Sequence, residues 1–324
     1  MRKATSTQTK PYKNTGVKYL SEEWEAARNK LGIGGSEAAA IAGMNPYSSA
    51  FTVYWDKVGQ GKPVEVSEAM RQGSDLEEYV AKRFCEATGK KVKKMEYMLQ
   101  SKAHPFMLAD VDRFVVGENA IVECKTSANR AGYSYENANN VPAYHLVQCL
   151  HYMAVTGAEK AYLATLVYGK AFYIVEIDRT EYEKDIESLI ALEQRFWEEN
   201  VLKEIPPEPD GSDKSTEILA EQYPSADDEL PPVDLMGYSS QLKRLSELKR
   251  DIAALTDEKA GIENLIKNAL GEAPVGQYDV YKVTWKNRET TRLDTKALKT
   301  EMPDVYAKYA KTSSARTFLF SEKN

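Results

Sequence analysis

The sequence predicts a mixed α/β (α+β) fold, and three observations predict it. Predicted elements run helices, three strands, helix, two strands, helix, an alternation that builds a sheet with helices against it. Leu76, Val80 and Phe84 recur at four-residue spacing, one apolar stripe on a long helix. Two β-rich pairs of segments are split by Gly117-Glu118 and Gly169-Lys170, which are hairpin signals.

In chain order, the amino terminus MRKATSTQTKPYKNTG is basic and lacks an apolar stretch, so residues 1–19 read as a flexible arm without a secretory signal. A short helix at SEEWEAARNK ends at the break LGIGG, and a second helix follows at SEAAAIAGM. Residues 67–88 carry the apolar stripe and form the long helix. KVKKMEYMLQ, FMLADVDRFVVG and NAIVECKTS are extended. Pro142 opens a helix that Gly157 closes, the favoured ends for those two residues. AYLATLVYG and AFYIVEID form the second hairpin, and a helix over 180–199 ends the module.

Residues 204–236 hold six of the thirteen prolines, and ten acidic residues there stand against one lysine. That composition predicts an extended, self-repelling linker between a module at 20–203 and another at 237–324. The second module opens with a helix over 239–270. Leu245, Leu248, Ile252, Leu255, Lys259, Ile262, Ile266 and Ala269 alternate three and four apart, a heptad seam with one lysine. The tail, from QYDVYKVTWKN to RTFLF, reads as a small strand–helix–strand unit.

The chain has 324 residues, 42% hydrophobic and 28% charged, which excludes fibrous and wholly disordered classes. No window approaches the roughly 18 apolar residues of a membrane span. Cys85, Cys124 and Cys149 include no C-x-x-C pair, which points to a reducing cytosol. The net charge of −6 sits mostly in the linker, so it says little about whether a local groove can bind phosphate.

The chemistry concentrates between residues 107 and 126. If Gly117-Glu118 is the turn, Asp112 sits directly opposite Glu123, with Cβ atoms about 4.5–5.5 Å apart. Two such carboxylates can share a divalent cation through oxygen ligands. Lys125, two residues after Glu123, projects from the same face, while Val122 and Cys124 point into an apolar layer. This set suits phosphodiester hydrolysis: carboxylates for a metal, and a lysine for the water or the phosphate. Asp110 is a rival carboxylate on the same strand face. Glu77 borders the apolar stripe and is a candidate further metal ligand, whereas Glu78 should pair outward with Lys82. Gln148 and Tyr152 share one helix face. Gly34-Gly35-Ser36 precedes a helix, so Ser36 is a candidate N-cap beside an anion site, and Arg28 can fork onto a phosphate. Trp24 either stacks on a base or joins the core. His104, His145 and His151 do not make a metal set, three cysteines cannot hold a four-cysteine cluster, and no P-loop is present.

RNKLGIGGSEAAAIAGMNPY, GSDLEEYVAKRF, LADVDRFV with VECKTS, and AYHLVQCLHYMAVTG together resemble the YqaJ-type viral recombinase nucleases of the PD-(D/E)xK superfamily, which are similar to the phage lambda exonuclease. The resemblance covers roughly residues 20–200. It implies a restriction-endonuclease-like core with Asp112, Glu123 and Lys125 as the catalytic D…E-x-K. Glu77 and the Cys124 backbone carbonyl are implied as further ligands of Mg²⁺, for which Mn²⁺ can substitute, and Gln148 with Tyr152 as the Q-x-x-x-Y element. Arg28, Ser36, Trp24 and Gln148 would receive a 5′-phosphorylated DNA end. The one departure is Val111 where the motif has proline. The implied activity is a 5′→3′ exonuclease on double-stranded DNA ends, encoded by a phage or prophage and acting in the bacterial cytoplasm. Its partner would be a single-strand annealing protein of the RecT/Red-beta type, and its assembly a trimer. An endonuclease with the same metal site, or a non-catalytic DNA-binding scaffold, are the alternatives.

Overall fold

The computed structural model describes residues 10–61, 66–128, 134–311 and 315–322, and the chain divides into two compact units, one ending at Leu219 and the other beginning at Ala220. Residues 1–9 of the amino-terminal arm lie outside the described residues.

The first unit opens with β1 (Tyr12–Lys18), then α1 (Trp24–Leu31), α2 (Gly35–Ile41), α3 (Ala50–Lys57) and α4 (Glu68–Thr88). Short strands follow: β2 (Val92–Lys94), β3 (Tyr97–Ser101), β4 (Leu108–Ala109) and β5 (Arg113–Val115). After them come β6 (Ala120–Ser127), α5 (Ala143–Thr156), β7 (Lys160–Val167), β8 (Ala171–Asp178), α6 (Glu183–Arg195) and α7 (Asp213–Gln222), whose last turn runs past the unit boundary. The main sheet has the order β2-β5-β6-β7-β8 and a second sheet the order β1-β3-β4. In the main sheet β6 and β7 are parallel and the other pairs antiparallel. Parallel neighbours cannot be joined by a tight turn, and α5 is the crossover that joins them.

The main sheet lies between two apolar layers. On one face Val80 and Phe84 of α4 pack with Val122, Tyr162 and Ala164. On the other, Val147, Leu150 and Met153 of α5 pack with Ile121, Leu163 and Ile177. α4 starts at Ser67, whose Oγ accepts the Met70 amide at 3.3 Å, and ends at Gly89 with φ of 69°. α5 runs from Pro142 to Gly157, where φ of 68° favours glycine.

Three expectations for residues 1–236 need correction. Residues 12–18 are not a free arm: Tyr12, Lys13 and Asn14 pair with Ser101, Gln100 and Leu99 on β3. The residues 108–115 do not form one strand. The chain leaves one sheet after Ala109 and enters the other at Arg113, so Asp110–Asp112 is an irregular link between sheets. The acidic linker is not extended throughout, because Asp213–Gln222 is helical. There Ser212 caps the first turn by accepting the Ser215 amide at 3.1 Å, and Ser215 itself is buried.

The second unit contains α8 (Ser239–Leu270), the hairpin β9 (Val275–Tyr278) and β10 (Tyr281–Thr284), α9 (Thr295–Glu301) and α10 (Pro303–Tyr309). The tail is therefore a hairpin and two short helices rather than strand–helix–strand, and Arg316–Phe320 is not a strand. Phe320 instead lies along α8, where its carbonyl accepts from Lys249 Nζ at 3.1 Å. Among the described residues no helix is long and apolar enough to cross a membrane.

Candidate active site

Where the two sheets diverge, a cleft of about 320 Å³ opens, lined by groups from α1, α2, α4, β6, α5 and the link at Asp110–Asp112. Arg113 pairs with Val122 and Phe114 with Ile121, the predicted register, so the next position outward sets Asp112 across from Glu123. The Cys124 amide donates to Asp112 Oδ2 at 2.8 Å. Glu123 Oε1 receives Lys125 Nζ at 2.7 Å and Gln148 Nε2 at 2.8 Å. Gln148 Nε2 also donates to Tyr152 Oη at 3.2 Å. A crossover helix one strand away thus fixes the rotamer of the central carboxylate.

The electrostatics set two neighbouring carboxylates against one lysine. Burial raises the Asp112 pKa well above its ordinary value, and the charges of Glu123 and Glu77 raise it further. Burial also raises that of Glu123, although Lys125 opposes it. Burial disfavours the Lys125 ammonium, but Glu123 and Asp112 outweigh it and hold its pKa above the usual value. Asp110 is pushed up to about 6 by burial, while Trp24 Nε1, donating at 3.2 Å, pulls the other way.

Glu77 lines the cleft with Asp112 and Glu123 and is also held in an ion pair. Its Oε1 takes Arg113 Nη1 at 2.6 Å, and the same buried guanidinium holds Glu78 Oε2 at 2.8 Å. Glu78 therefore pairs inward with Arg113, and Lys82 pairs with Glu86 instead. Arg113 prevails because it is buried and anchored on β5, whereas Lys82 is a flexible surface side chain. Among the described residues no three His, Cys, Asp or Glu side chains are drawn together closely enough to hold a metal. Glu123 Oε2 is nonetheless buried without a hydrogen-bond partner. An orphaned acceptor of that kind is costly unless something fills it. Two carboxylates with raised pKa values, Glu123 buried and Asp112 half-buried, fit a divalent cation, which would relieve both the repulsion and the orphan.

The other wall carries Arg28 and Trp24. The guanidinium lies 4.7 Å from the Trp24 ring and pairs with Glu37 at 3.0 Å, and its Nε is buried without a partner. Ser36 lines the cleft but does not cap α2. Gly34 is the N-cap, and Glu37 reaches back to accept the Gly34 amide at 2.7 Å. Glu37 also takes Lys57 Nζ at 2.7 Å. Trp24 is half-buried, with Tyr19 edge-on at 5.1 Å. His151 is a core residue: its ring bonds Glu193 at 2.8 Å and the Leu108 carbonyl at 2.7 Å.

Sequence reading missed Glu37, Lys57, Arg113, Tyr19 and the role of Gly35. The spacing of Gly34 and Glu37 is a capping-box signal and could have revealed one of them. A Cβ on Gly35 would lie 2.7 Å from Tyr152 Cε1 and 2.9 Å from Gln148 Cγ. Gly35 thus lets α2 close onto the Gln148–Tyr152 face. Gly35→Val should push Gln148 off Glu123 and cost about 1–3 kcal/mol as an overpacked site. Thermal melting and nuclease rate should both fall; a rate equal to wild type would dissociate the α2 contact from the site.

A YqaJ-like viral recombinase domain matches residues 23–159. The chain is 36% identical over 305 residues to the uncharacterized protein YqaJ of Bacillus subtilis (strain 168), covering 93% of this chain and 94% of that one. Two solved structures are similar at lower levels. An alkaline exonuclease (LHK-Exo) from Laribacter hongkongensis shares 19% identity over 62% of this chain and 99% of its own, with a TM-score of 0.43. A phage-related exonuclease from Haemophilus somnus 129PT shares 14% over 54% and 97%, with a TM-score of 0.44. With the domain match and a near full-length relative in agreement, the chain belongs to the YqaJ-like viral recombinase family.

Proposed function

We propose that the protein is a Mg²⁺-dependent deoxyribonuclease, a 5′→3′ exonuclease on double-stranded DNA ends that works in phage recombination beside a single-strand annealing protein. One observation carries this reading: Asp112, Glu123, Lys125, Gln148 and Tyr152 converge in one cleft whose other wall bears Arg28. Asp112, Glu123 and the Cys124 carbonyl would hold the ion, with Glu77 at its outer edge. When bound, the ion neutralises charge that builds on the phosphate.

The remaining work falls to the chain's own groups. Gln148 and the Cys124 amide hold Glu123 and Asp112 in place, so no rotamer search precedes reaction. Lys125, held protonated by its two carboxylates, suits an electrostatic contact to a phosphate oxygen better than proton abstraction. Arg28 retains an unused buried N–H that can donate to a terminal phosphate.

Incubating a 5′-phosphorylated linear duplex and a closed circle with Mg²⁺ tests the reading. Mononucleotides from the linear duplex alone are expected, and EDTA should abolish them. Nicking of the circle would point to an endonuclease, and inertness towards both to a scaffold. Arg28→Ala should lose the preference for phosphorylated over hydroxyl ends, a contact worth about 1.5–3 kcal/mol. An unchanged ratio of the two rates would remove Arg28 from end recognition.

A further inference from the structure

The second unit carries an apolar seam that no described residue of the unit covers over its middle, from Ile252 to Ile262, while Ile266 and Ala269 share a groove with the β9–β10 hairpin. On α8, Leu248, Ile252, Leu255, Ile262 and Ile266 stand exposed, Ile252 and Leu255 at 62% and 63%. The tail lies along one flank, at Ser246 and Lys249, and leaves the middle of the seam open. In heptad terms, Leu245, Ile252, Lys259 and Ile266 occupy a positions, and Leu248, Leu255, Ile262 and Ala269 occupy d positions.

The flanking charges decide what can cover it. In a parallel in-register pair, each g residue meets the e residue five places on in the second copy. That sets Arg244 against Lys249 and Glu258 against Glu263, two like-charge contacts, each made twice. In an antiparallel pair every a residue can face a d residue: Leu245 faces Ala269, Ile252 faces Ile262, Lys259 faces Leu255, and Ile266 faces Leu248. Lys249 then lies beside Glu263 of the second copy, an attractive contact made twice. Glu258 meets its own copy at the dyad, where the Lys259 side chains can reach it with their stems lying over Leu255. Lys259 now contacts Glu263 of its own chain at 2.8 Å, an exposed pair free to rearrange.

We infer that α8 is a self-association element, which pairs antiparallel with α8 of a second copy through the seam from Leu245 to Ala269. The lysine at a central a position disfavours a parallel dimer, in which two ammonium groups would face each other, and is tolerated in the antiparallel one.

Sedimentation and light scattering on the full-length chain test this. Ile252→Glu with Ile262→Glu places carboxylates in facing layers and should lower the mass at a given concentration, with helix content unchanged by circular dichroism. The exposed Lys249→Glu should weaken association by about tenfold, from the two contacts it reverses. Adding Glu263→Lys should restore it. A parallel pair predicts the opposite, since Lys249→Glu would then attract Arg244 and tighten association. An unchanged mass in the seam variant, tightening by Lys249→Glu, or no rescue by Glu263→Lys would each overturn the proposal.

Discussion

Asp112→Asn is expected to lose cleavage by about 100- to 1,000-fold or more, the scale for removing a preorganised charged group from a reacting site, and at the same time to melt higher than wild type without metal. The amide oxygen of asparagine can still accept the Cys124 amide, so the strand pairing survives. What disappears is a half-buried negative charge facing Glu123. The raised Asp112 pKa says that the folded state takes up a proton that the unfolded chain releases. Ionised Asp112 is therefore a cost to folding that is absent in acid and grows as pH rises past the ordinary aspartate value. Wild type should gain stability on adding Mg²⁺, and Asp112→Asn should gain much less. Calorimetry with and without Mg²⁺, alongside a linear-duplex digestion assay, reads both effects. Duplex binding should persist, because removing a carboxylate lessens repulsion of phosphate. Near-normal turnover in the variant would remove Asp112 from the chemistry. A lower melting temperature in metal-free buffer would contradict the repulsion argument even if activity were lost.

How much of this was legible in the sequence follows from the range of each interaction. The Asp112–Glu123 juxtaposition was readable because a two-residue turn and a period of two determine which side chains face each other. The ends of α4, α5 and α8 were readable because Ser67, Pro142, Gly89, Gly157 and Gly271 act within one turn. Arg113 was not readable. No spacing or motif singles it out, yet the fold buries it against Glu77 and Glu78 of α4. β1 was missed for a similar reason: YKNTGVK carries no alternation, and its edge pairing with β3 depends on a partner some eighty residues away. The helix within the acidic segment was hidden because its caps, Asp210 and Ser212, sit among prolines that speak for an extended chain. Gly35 read only as part of the break before α2, whereas its missing side chain makes room for Tyr152.

Glu37 is where fold and function meet most closely, and Glu37→Gln should cost about 3–5 kcal/mol, the scale for breaking a buried ion pair on one side. The carboxylate answers three groups at once: Lys57 Nζ, Arg28 and the Gly34 amide. Burial alone would raise its pKa, but Lys57, Arg28 and the Gly34 hydrogen bond outweigh burial and hold it below the usual value. At Lys57 burial wins instead and lowers the pKa, so the ammonium stays charged chiefly because Glu37 faces it. Glutamine can still accept the Gly34 amide, but it leaves Lys57 buried without a counter-charge. Glu37→Gln with Lys57→Met should therefore recover much of the loss, because it removes both charges. The pH dependence has a definite sign. A carboxylate with a lowered folded pKa stabilises the fold above its unfolded value near 4.5, and that contribution is lost as pH falls through the folded value. Wild type should lose stability in acid below that point, and Glu37→Gln should lack this part of the slope. Urea melts between pH 3 and 7 would show it, and parallel curves for the two proteins would deny Glu37 its charge in the fold. Arg28 makes the consequence functional. Released from Glu37, its guanidinium loses its ion-pair anchor and keeps the Trp24 ring as a neighbour, so the double variant should be well folded yet as indifferent to the 5′-phosphate as Arg28→Ala. A double variant that kept the full end preference would show that Trp24 alone suffices to aim Arg28.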